Sequence, residues 1–275
     1  MRNMETPHLR CKKGDLAPIA LLPGDPGRVE LIGTLLDGFS VLSQNREFKV
    51  ARGSYKGTPI TVCSTGIGGP STEIAVVELA RLGVTTFIRV GGTGAIVPEI
   101  ACGDLIISAG SVRLGGSSQF YVRPEYPAVA SYEIVLSLVE ACERLGYSYH
   151  VGIGASIGSF YEGQGRISVP ARRPGSGGIV QELQQSRVIN IEMEADTVLT
   201  LANALGFRGG AIYAVHCNRI TDEWDPHYEK SQGKLVSAAC EAASLLARWD
   251  SLKERSGKKH LSLSLIAPSG TLSNS

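Results

Sequence analysis

Short apolar runs recur along the chain and predict the strands of a layered sheet. The segments APIALLPG (17–24) and TPITVCSTGIG (58–68) each end in glycine, and TTFIRVGGTGAI (85–96) and RGGAIYAVHCNRI (208–220) repeat the apolar pattern. Nearly continuous apolar runs of this length are typical of strands that helices cover on both faces.

Between these runs the apolar positions follow a helical spacing. In segment 131–146 they are Ile134, Leu138, Cys142 and Leu145. The positions predicted for the polar face are Glu133, Ser137, Glu140 and Arg144. We expect Gly146 to end this helix, and we predict a second helix in segment 70–83 with Ser71 as N-cap and Gly83 as its stop. Alternating strands and helices indicate an α/β layered domain.

The composition excludes several classes of function. Lys and Arg number 27 against 26 Asp and Glu, which gives a formal charge of +1, and 43% of the residues are hydrophobic. This balance disfavours a nucleic-acid or membrane partner. The six cysteines contain no Cys-x-x-Cys pair, so we expect reduced thiols rather than a disulfide framework or a zinc site. With no apolar leader and no long apolar run, the chain is expected to be cytoplasmic.

Two segments are predicted to be loosely held. The stretch SVPARRPGSGG (168–178) is polar and rich in Gly and Pro, which indicates a mobile loop or flap. Residues 255–275 form a serine-rich C-terminal tail without a clear period, so the domain itself is expected to span residues 1–254.

Arginines near strand ends suggest an anion site. Arg28 closes the segment PGDPGR after a predicted strand, Arg46 lies in NREF, and Arg89 lies inside an apolar strand. The planar guanidinium suits phosphate, so one hypothesis is that the three converge on that anion. The alternatives are an ordinary tight turn at PGDPGR and a buried salt bridge from Arg89 to Asp104 or Glu99.

Two further stretches carry candidate chemistry. INIEMEADTV (189–198) places Glu192 and Glu194 around Met193 where a strand turns into a helix. These acids are either ordinary residues of a first helical turn or acceptors for a pair of neighbouring hydroxyls such as those of a ribose. FYEGQGR (160–166) sets Gln164 and Arg166 behind two aromatic rings.

Together these residues resemble the nucleoside phosphorylase family, and within it the members that act on uridine. The resemblance runs from about His8 to Trp249 and rests on eight motifs in register. They are PGDPGR, NREF, CSTGIGGPST, TGAI, GDLIISAGSVRL, FYEGQGR, IEMEA and CNRI. It implies a single-domain, three-layer α/β fold with a mixed, partly barrel-like central sheet flanked by helices.

The resemblance also implies an activity, the reversible phosphorolysis of uridine to uracil and ribose 1-phosphate, with inorganic phosphate as co-substrate and no required cofactor. It implies a homo-oligomer, at least a dimer, whose active sites are shared between subunits. The residues to which it assigns catalysis are Arg89, Gln164, Arg166 and Glu194. The residues to which it assigns substrate binding are Gly24, Arg28, Arg46, Thr93, Gly94, Phe160, Gln164, Arg166, Glu192, Met193, Glu194, His8 and Arg219.

Within this set, Gly24, Arg28, Arg89 and Thr93 match the family's phosphate cradle. Arg46 and His8 would come from the neighbouring subunit, His8 to the ribose 5′-hydroxyl; a disordered tail residue is the alternative for His8. Glu47, Ile67 and Ser71 match positions that hold a monovalent cation (K⁺) between subunits.

The same resemblance gives FYEGQGR a role in binding uracil. Phe160 would stack on the ring, Gln164 would accept from N3–H and donate to O2, and Arg166 would donate toward O4. These donors would stabilise the negative charge that the leaving base acquires.

One position departs from the family pattern. Gly92 replaces a threonine that is expected to contact phosphate and ribose. Three alternatives stay open: a purine nucleoside phosphorylase, a nucleosidase, and a non-catalytic nucleoside-binding subunit. A purine enzyme would place an acid near HCNRITDE, where Asn218 and Arg219 stand and Asp222 follows.

Overall fold

The computed structural model describes residues 5–166 and 178–266. The strands are β1 (Ile19–Pro23), β2 (Asp37–Asn45), β3 (Phe48–Tyr55), β4 (Thr58–Cys63), β5 (Thr86–Ala95), β6 (Leu105–Leu114), β7 (Ala128–Val129), β8 (Tyr149–Ile157), β9 (Val188–Glu192), β10 (Arg208–Asn218) and β11 (Glu223–Trp224). The helices are α1 (Pro26–Gly33), α2 (Gly69–Arg81), α3 (Tyr132–Leu145), α4 (Ile179–Gln185), α5 (Ala195–Ala204), α6 (Tyr228–Ser256) and α7 (Leu263–Ile266).

The strands form one mixed sheet that closes partly on itself. Its order is β11-β10-β6-β8-β9-β5-β1-β4-β3-β2, and β10 also pairs with β5. That extra pairing closes β10, β6, β8, β9 and β5 into a barrel, from which β1, β4, β3 and β2 extend. The β10–β5 pair is parallel whereas β10–β6 and β5–β9 are antiparallel. The expected α/β fold with a mixed, partly barrel-like sheet is therefore confirmed.

Helices cover both faces of the open part of the sheet. On β1, Ile19 and Leu21 pack into a core shared with α1, α3 and α6. Ala20 and Leu22 point to the opposite face and pack with α2 and α5. Because successive side chains of a strand alternate between the two faces, both sets must be apolar, which explains the continuous apolar runs.

The ends of the predicted helices are partly as expected. Gly146 follows α3 in the left-handed conformation with φ 65°, and Gly83 follows α2 with φ 105°, so both stops are confirmed. The prediction of Ser71 as N-cap is wrong. Helix α2 begins at Gly69, and Ser71 lies inside its first turn, where its hydroxyl donates to Glu47 Oε1 at 2.8 Å.

The predicted polar face of α3 is also wrong at two positions. Glu133 and Ser137 are buried. Glu133 accepts hydrogen bonds from Lys253 Nζ at 2.7 Å and from Arg208 Nη1 at 2.9 Å. A buried carboxylate with two cationic partners is stable in this interior, so the face that carries it packs against α6 and β10 instead of facing water.

The two segments predicted to be loose are only partly described. Within 168–178 only Gly178 is described, just before α4; the rest of that loop lies outside the described residues, as do residues 267–275. Helix α6 continues to Ser256, and Leu261 beyond it is buried, with its backbone N–H donating to the Tyr132 hydroxyl at 3.0 Å. The division at residue 254 stays a prediction.

Two further expectations concern the whole chain. All six cysteines are free thiols. Across residues 5–166 and 178–266, none of the helices combines the length and the apolar character that crossing a membrane requires.

Candidate active site

A cavity of about 850 Å³ lies where β5, β9 and β10 end and where the loops after β1 and β4 approach them. It gathers all the predicted site residues except His8 and Arg46. Those that line it are Gly24, Arg28, Glu47, Ile67, Ser71, Arg89, Thr93, Gly94, Phe160, Gln164, Arg166, Glu192, Met193, Glu194 and Arg219.

Arg89 lies at the buried centre of the cavity wall. Its Nε donates to Glu192 Oε2 at 2.9 Å, and its Nη2 donates to Glu194 Oε2. The predicted salt bridge of Arg89 therefore exists, but its proposed partners are wrong. Asp104 is bonded to His150 at 2.9 Å, and Glu99 is exposed. The Nη1 atom of Arg89 is buried and has no hydrogen-bond partner among the described residues.

The two acids reach Arg89 because β9 pairs antiparallel with β5 and then turns into α5. Glu192 ends β9, and its carboxylate accepts from the backbone N–H groups of Glu194 at 2.9 Å and Ala195 at 3.0 Å, which caps the start of α5. Glu192 thus lies before the first turn of α5 rather than in it, and it also lines the cavity. Glu194 accepts from the Gly68 N–H at 2.6 Å.

In this cluster the single guanidinium of Arg89 is the ion-pair partner of two buried carboxylates, those of Glu192 and Glu194. Burial of Glu194 and the nearby charge of Glu192 raise the pKa of Glu194 despite Arg89. Burial favours the neutral form of Arg89, but Glu194 and Glu192 together raise its pKa, so Arg89 is a permanent cation. Its unpartnered Nη1 is therefore a charged donor in need of an acceptor.

Arg28 follows the turn of PGDPGR in the first turn of α1. Asp25 is the N-cap of that helix and its Oδ1 accepts from the Gly27 N–H at 2.8 Å, so this N–H is not directed at an anion as the sequence suggested. The Arg28 guanidinium contacts Gln232 Oε1 and donates from Nη1 to the Val90 carbonyl at 3.2 Å. Burial lowers the pKa of Arg28.

Close backbone approach explains the glycine at position 24. A Cβ there would lie 3.0 Å from the Gly66 carbonyl oxygen and 3.8 Å from Arg89 Nη1. A side chain at this position would fill the space beside the unpartnered nitrogen. Thr93 also lines the cavity, but its hydroxyl donates to the Ile191 carbonyl at 2.8 Å.

The aromatic stretch forms another part of the wall. The guanidinium of Arg166 lies 4.4 Å from the centre of the Phe160 ring. Arg219 Nη2 donates to the Gln164 carbonyl at 3.0 Å, and the pKa of Arg219 is lowered by burial and by the charge of Arg166. Arg166 Nε and Arg219 Nη1 are buried without a hydrogen-bond partner in the described ranges. The Gln164 side chain is buried, and within those ranges no hydrogen bond engages its amide.

His8 and Arg46 lie away from the cavity of their own chain. His8 Nδ1 is 2.6 Å from Glu78 Oε1, and the ring packs edge-on to Phe48. His8 is therefore held in place, unlike a disordered tail residue. Arg46 is exposed in the turn between β2 and β3, with φ 57°.

The three residues assigned to a cation lie at the rim. Glu47 and Ser71 bond to each other, and Ile67 is 78% exposed. Among the described residues there is no group of three or more His, Cys, Asp or Glu side chains arranged to hold a metal ion.

The comparison with known families agrees with this geometry. A family model described as Phosphorylase superfamily matches residues 18–249. The chain belongs to the phosphorylase superfamily.

Relatives of this phosphorylase cover most of its length. A uridine phosphorylase of Thermococcus kodakarensis is 52% identical over 253 residues, which are 92% of this chain and 90% of that protein. A uridine phosphorylase of Escherichia coli is 44% identical over 246 residues, 87% of this chain and 97% of the relative. A guanosine phosphorylase of Halorubrum lacusprofundi is 42% identical over 214 residues, 78% of this chain and 84% of the relative.

Among the lining residues that the sequence analysis did not assign to the site is the histidine at position 216. His216 lies on β10 and lines the cavity beside Gly92. Two features of the sequence could have indicated it: a histidine inside the apolar run RGGAIYAVHCNRI, and the unexpected glycine at position 92. Their connection depends on the β5–β10 pairing, which the sequence does not display.

Proposed function

We propose that this phosphorylase catalyses the reversible phosphorolysis of uridine. The observation that carries the proposal is that one cavity is lined by Arg89, whose Nη1 has no partner among the described residues, by the Gln164 side chain, and by Glu194 and Met193. The uridine phosphorylases that resemble the chain over about nine-tenths of its length support the substrate.

Arg89 and Arg28 would hold phosphate at one end. Arg89 contributes the unpartnered Nη1, and each charge-assisted hydrogen bond is worth about 1.5–3 kcal/mol. Glu194 accepts from Arg89 and Gly68 and would also accept from the ribose hydroxyls, with Met193 against the sugar. The phosphate is then positioned to attack C1′ as the bond to the base breaks, and this positioning lowers the barrier.

Uracil would bind at the other end. Phe160 is 43% exposed, and the ring face that the Arg166 guanidinium leaves open would stack on the base. The Gln164 amide would pair with the edge that carries O2 and N3–H. Arg166 lies beside them and would donate toward O4. As the glycosidic bond breaks, negative charge grows on the base oxygens, so these donors stabilise the transition state more than the substrate.

The residues around the base end favour a pyrimidine over a purine. Asn218 donates to the carbonyls of Val97 and Ile100, both at 2.9 Å, and its own oxygen accepts from the Ile220 N–H, so it has no free group for a base. Asp222 is exposed and is not part of the cavity wall. Among the described residues that line the cavity, none from segment 216–223 therefore offers a carboxyl group that could protonate an imidazole nitrogen.

The remaining parts of the proposal concern assembly and location. We propose at least a dimer in which His8 and Arg46 complete the neighbour's site, because both lie outside the cavity of their own chain, His8 bonded to Glu78 and Arg46 exposed. Glu47, Ile67 and Ser71 would hold a monovalent cation at that contact. Size-exclusion chromatography of active enzyme tests the assembly, and an active monomer would contradict it. A cytoplasmic location stays a prediction.

Release of free base from purified protein tests the activity. Uridine, inosine and guanosine are each supplied with and without inorganic phosphate. We expect phosphate-dependent uracil release at a rate at least about tenfold above either purine nucleoside, since mismatched polar groups in a buried site commonly cost more than 1.4 kcal/mol.

Each alternative gives a different result in this assay. Base release that continues without phosphate would indicate a nucleosidase. Equal rates for uridine and a purine nucleoside would overturn the pyrimidine assignment. Uridine binding without turnover would indicate a non-catalytic subunit.

A further inference from the structure

His216 enters the cavity through an irregularity of β10. In the parallel β5–β10 ladder Val215 pairs with Thr93 and Cys217 pairs with Gly94, so His216 is an extra residue on β10. A bulge of this kind turns one side chain out of the alternating pattern of the strand and often lies beside an active site. The backbone carbonyl of His216 is satisfied by the Asp225 N–H at 2.8 Å.

The imidazole fills the space that a side chain at position 92 would need. A Cβ on Gly92 would lie 2.1 Å from Cε1 and 2.4 Å from Nδ1 of His216. On the other side the His216 ring packs against Tyr228, with 4.7 Å between ring centres. The ring is therefore fixed in one position. It can occupy that position only because residue 92 has no side chain.

A chain of hydrogen bonds decides which ring nitrogen carries the proton. Arg28 Nε can only donate, and it contacts Gln232 Oε1, so the amide nitrogen of Gln232 points away from Arg28. That nitrogen lies 2.7 Å from His216 Nε2 and must donate to it. In the neutral imidazole the proton then resides on Nδ1, next to Gly92, where no described residue accepts it.

The imidazole of His216 is neutral near pH 7. Burial and the positive charge of Arg28 lower the pKa of His216 to about 4, against a smaller opposing effect of Asp225. The ring therefore offers one N–H donor to the cavity without adding a charge beside Arg28 and Arg89.

We propose that the Nδ1–H of His216 donates a hydrogen bond to the bound phosphate and takes the place of a hydroxyl at position 92. The inference rests on the proposed phosphorolysis. Phosphate is the ligand because the cavity wall around His216 also carries Arg28, to which it is linked through Gln232, and Arg89, three residues before Gly92 on β5.

Two substitutions separate this role from a merely structural one. His216→Asn places an amide near the position of Nδ1 and keeps the donor toward the cavity, whereas His216→Gln reaches the position of Nε2 and keeps the contact with Gln232. Calorimetric titration with inorganic phosphate alone gives the dissociation constant, and circular dichroism checks the fold. We expect His216→Asn to stay within about threefold of the wild type and His216→Gln to bind phosphate roughly tenfold more weakly.

Weaker phosphate binding by His216→Asn than by His216→Gln would overturn the proposal, since it would mean that His216 acts only by holding Gln232 and Arg28. Unchanged phosphate binding in both variants would overturn it as well. So would a change confined to the KM for uridine, which would place His216 on the sugar.

The steric relation between positions 92 and 216 gives an independent measurement. Gly92→Ala collides with the imidazole, so we expect it to lower Tm and weaken phosphate binding in the wild-type background. In the His216→Ala background the same change has room and is expected to be neutral in Tm. Equal effects in both backgrounds would contradict the packing on which the proposal depends.

These binding measurements need no turnover. If uridine is not cleaved but the phosphate titrations follow the expected order, the proposed function fails and the role of His216 at an oxyanion site stands. If uridine is cleaved and the order is reversed, only the role of His216 fails.

Discussion

Two arginines on neighbouring strands of the barrel, Arg89 on β5 and Arg208 on β10, occupy similar ionic clusters with different outcomes. Each is paired with two carboxylates. All three nitrogens of Arg208 are hydrogen-bonded, to Thr86, Glu133 and Asp250. Arg89 lacks a partner for Nη1 in the described part of the chain.

The difference lies in whether the protein itself completes the cluster. Around Arg208 a second cation, Lys253, balances the two acids, and this charge together with Arg208 lowers the pKa of Glu133 although burial opposes the shift. Around Arg89 the acids outnumber the cation, and burial raises the pKa of Glu194. A complete cluster stabilises the fold, whereas an incomplete one beside a cavity is suited to bind a ligand.

Replacement of Arg208, in the cluster whose charges the protein itself balances, is expected to have the largest effect on stability. Arg208→Met leaves Glu133 and Asp250 with Lys253 alone, and loss of one partner of a buried pair costs about 3–5 kcal/mol, with the remaining lysine favouring the lower end. Urea unfolding measures this loss, and turnover per folded molecule is expected to be unchanged. Loss of turnover without loss of stability would remove the distinction between the clusters.

The two regions are also expected to respond oppositely to pH. Asp196, in the first turn of α5, is fully buried, and burial and the charge of Glu192 raise its pKa from 3.8 to about 6. A raised pKa means that this carboxyl stabilises the fold when protonated and that the contribution is lost as the pH rises through about 4 to 6. The lowered pKa values of Glu133 and Asp250 give a contribution that is lost as the pH falls below their ordinary range.

Asp196→Asn isolates this effect because the amide can keep the contacts with the Gly115 N–H and the hydroxyls of Ser118 and Thr197. Relative to wild type, the variant is expected to gain up to about 3 kcal/mol of unfolding free energy between pH 4 and pH 7. Urea midpoints at pH 4.5, 5.5 and 7 measure it. Parallel curves for the two proteins would show that Asp196 does not titrate in this range.

The contrast also shows what the sequence could predict. The apolar runs located β1, β4, β5 and β10 because burial on both faces leaves a local pattern. The cluster partners could not be found in that way. Glu133 and Arg208 are 75 residues apart, and the acids that reach Arg89 are 103 and 105 residues away. Sequence proximity suggested Asp104 and Glu99 instead, and the antiparallel β5–β9 pairing determines the true partners.

The residues that line the cavity were predictable as a group mainly through resemblance to the nucleoside phosphorylases, and their roles stay predictions. Single motifs such as PGDPGR are compatible with a simple turn, and Asp25 does cap a helix there. The sequence shows a histidine inside an apolar run but not the bulge that directs it into the cavity, because the bulge is defined by a shift in pairing with another strand.

A charge-conserving change at Arg89 gives an effect of intermediate size. Arg89→Lys keeps a cation for Glu192 and Glu194 but cannot also supply the Nη1 donor. Loss of one charge-assisted bond is expected to reduce the phosphate-dependent kcat/KM roughly 10- to 100-fold, equivalent to about 1.5–3 kcal/mol, with little change in Tm. Steady-state kinetics at varied phosphate measures it.

Arg208→Lys is the matched control for that experiment. It makes the same chemical change in a cluster away from the cavity, so turnover is expected to stay at the wild-type level. If both lysine variants lose turnover to the same extent, position in the cavity is not what distinguishes the two arginines.

The smallest effect is expected for an Arg–Glu ion pair that is exposed to solvent on the protein surface. Glu140 and Arg144 on α3 are 2.7 Å apart, and their side chains are 41% and 44% exposed. Because solvent screens the attraction and ordering two long side chains opposes it, Glu140→Gln is expected to cost at most about 0.5 kcal/mol in urea unfolding. A loss as large as that of Arg208→Met would mean that burial does not govern the strength of these Arg–Glu contacts, and the contrast between Arg89 and Arg208 would then need another cause.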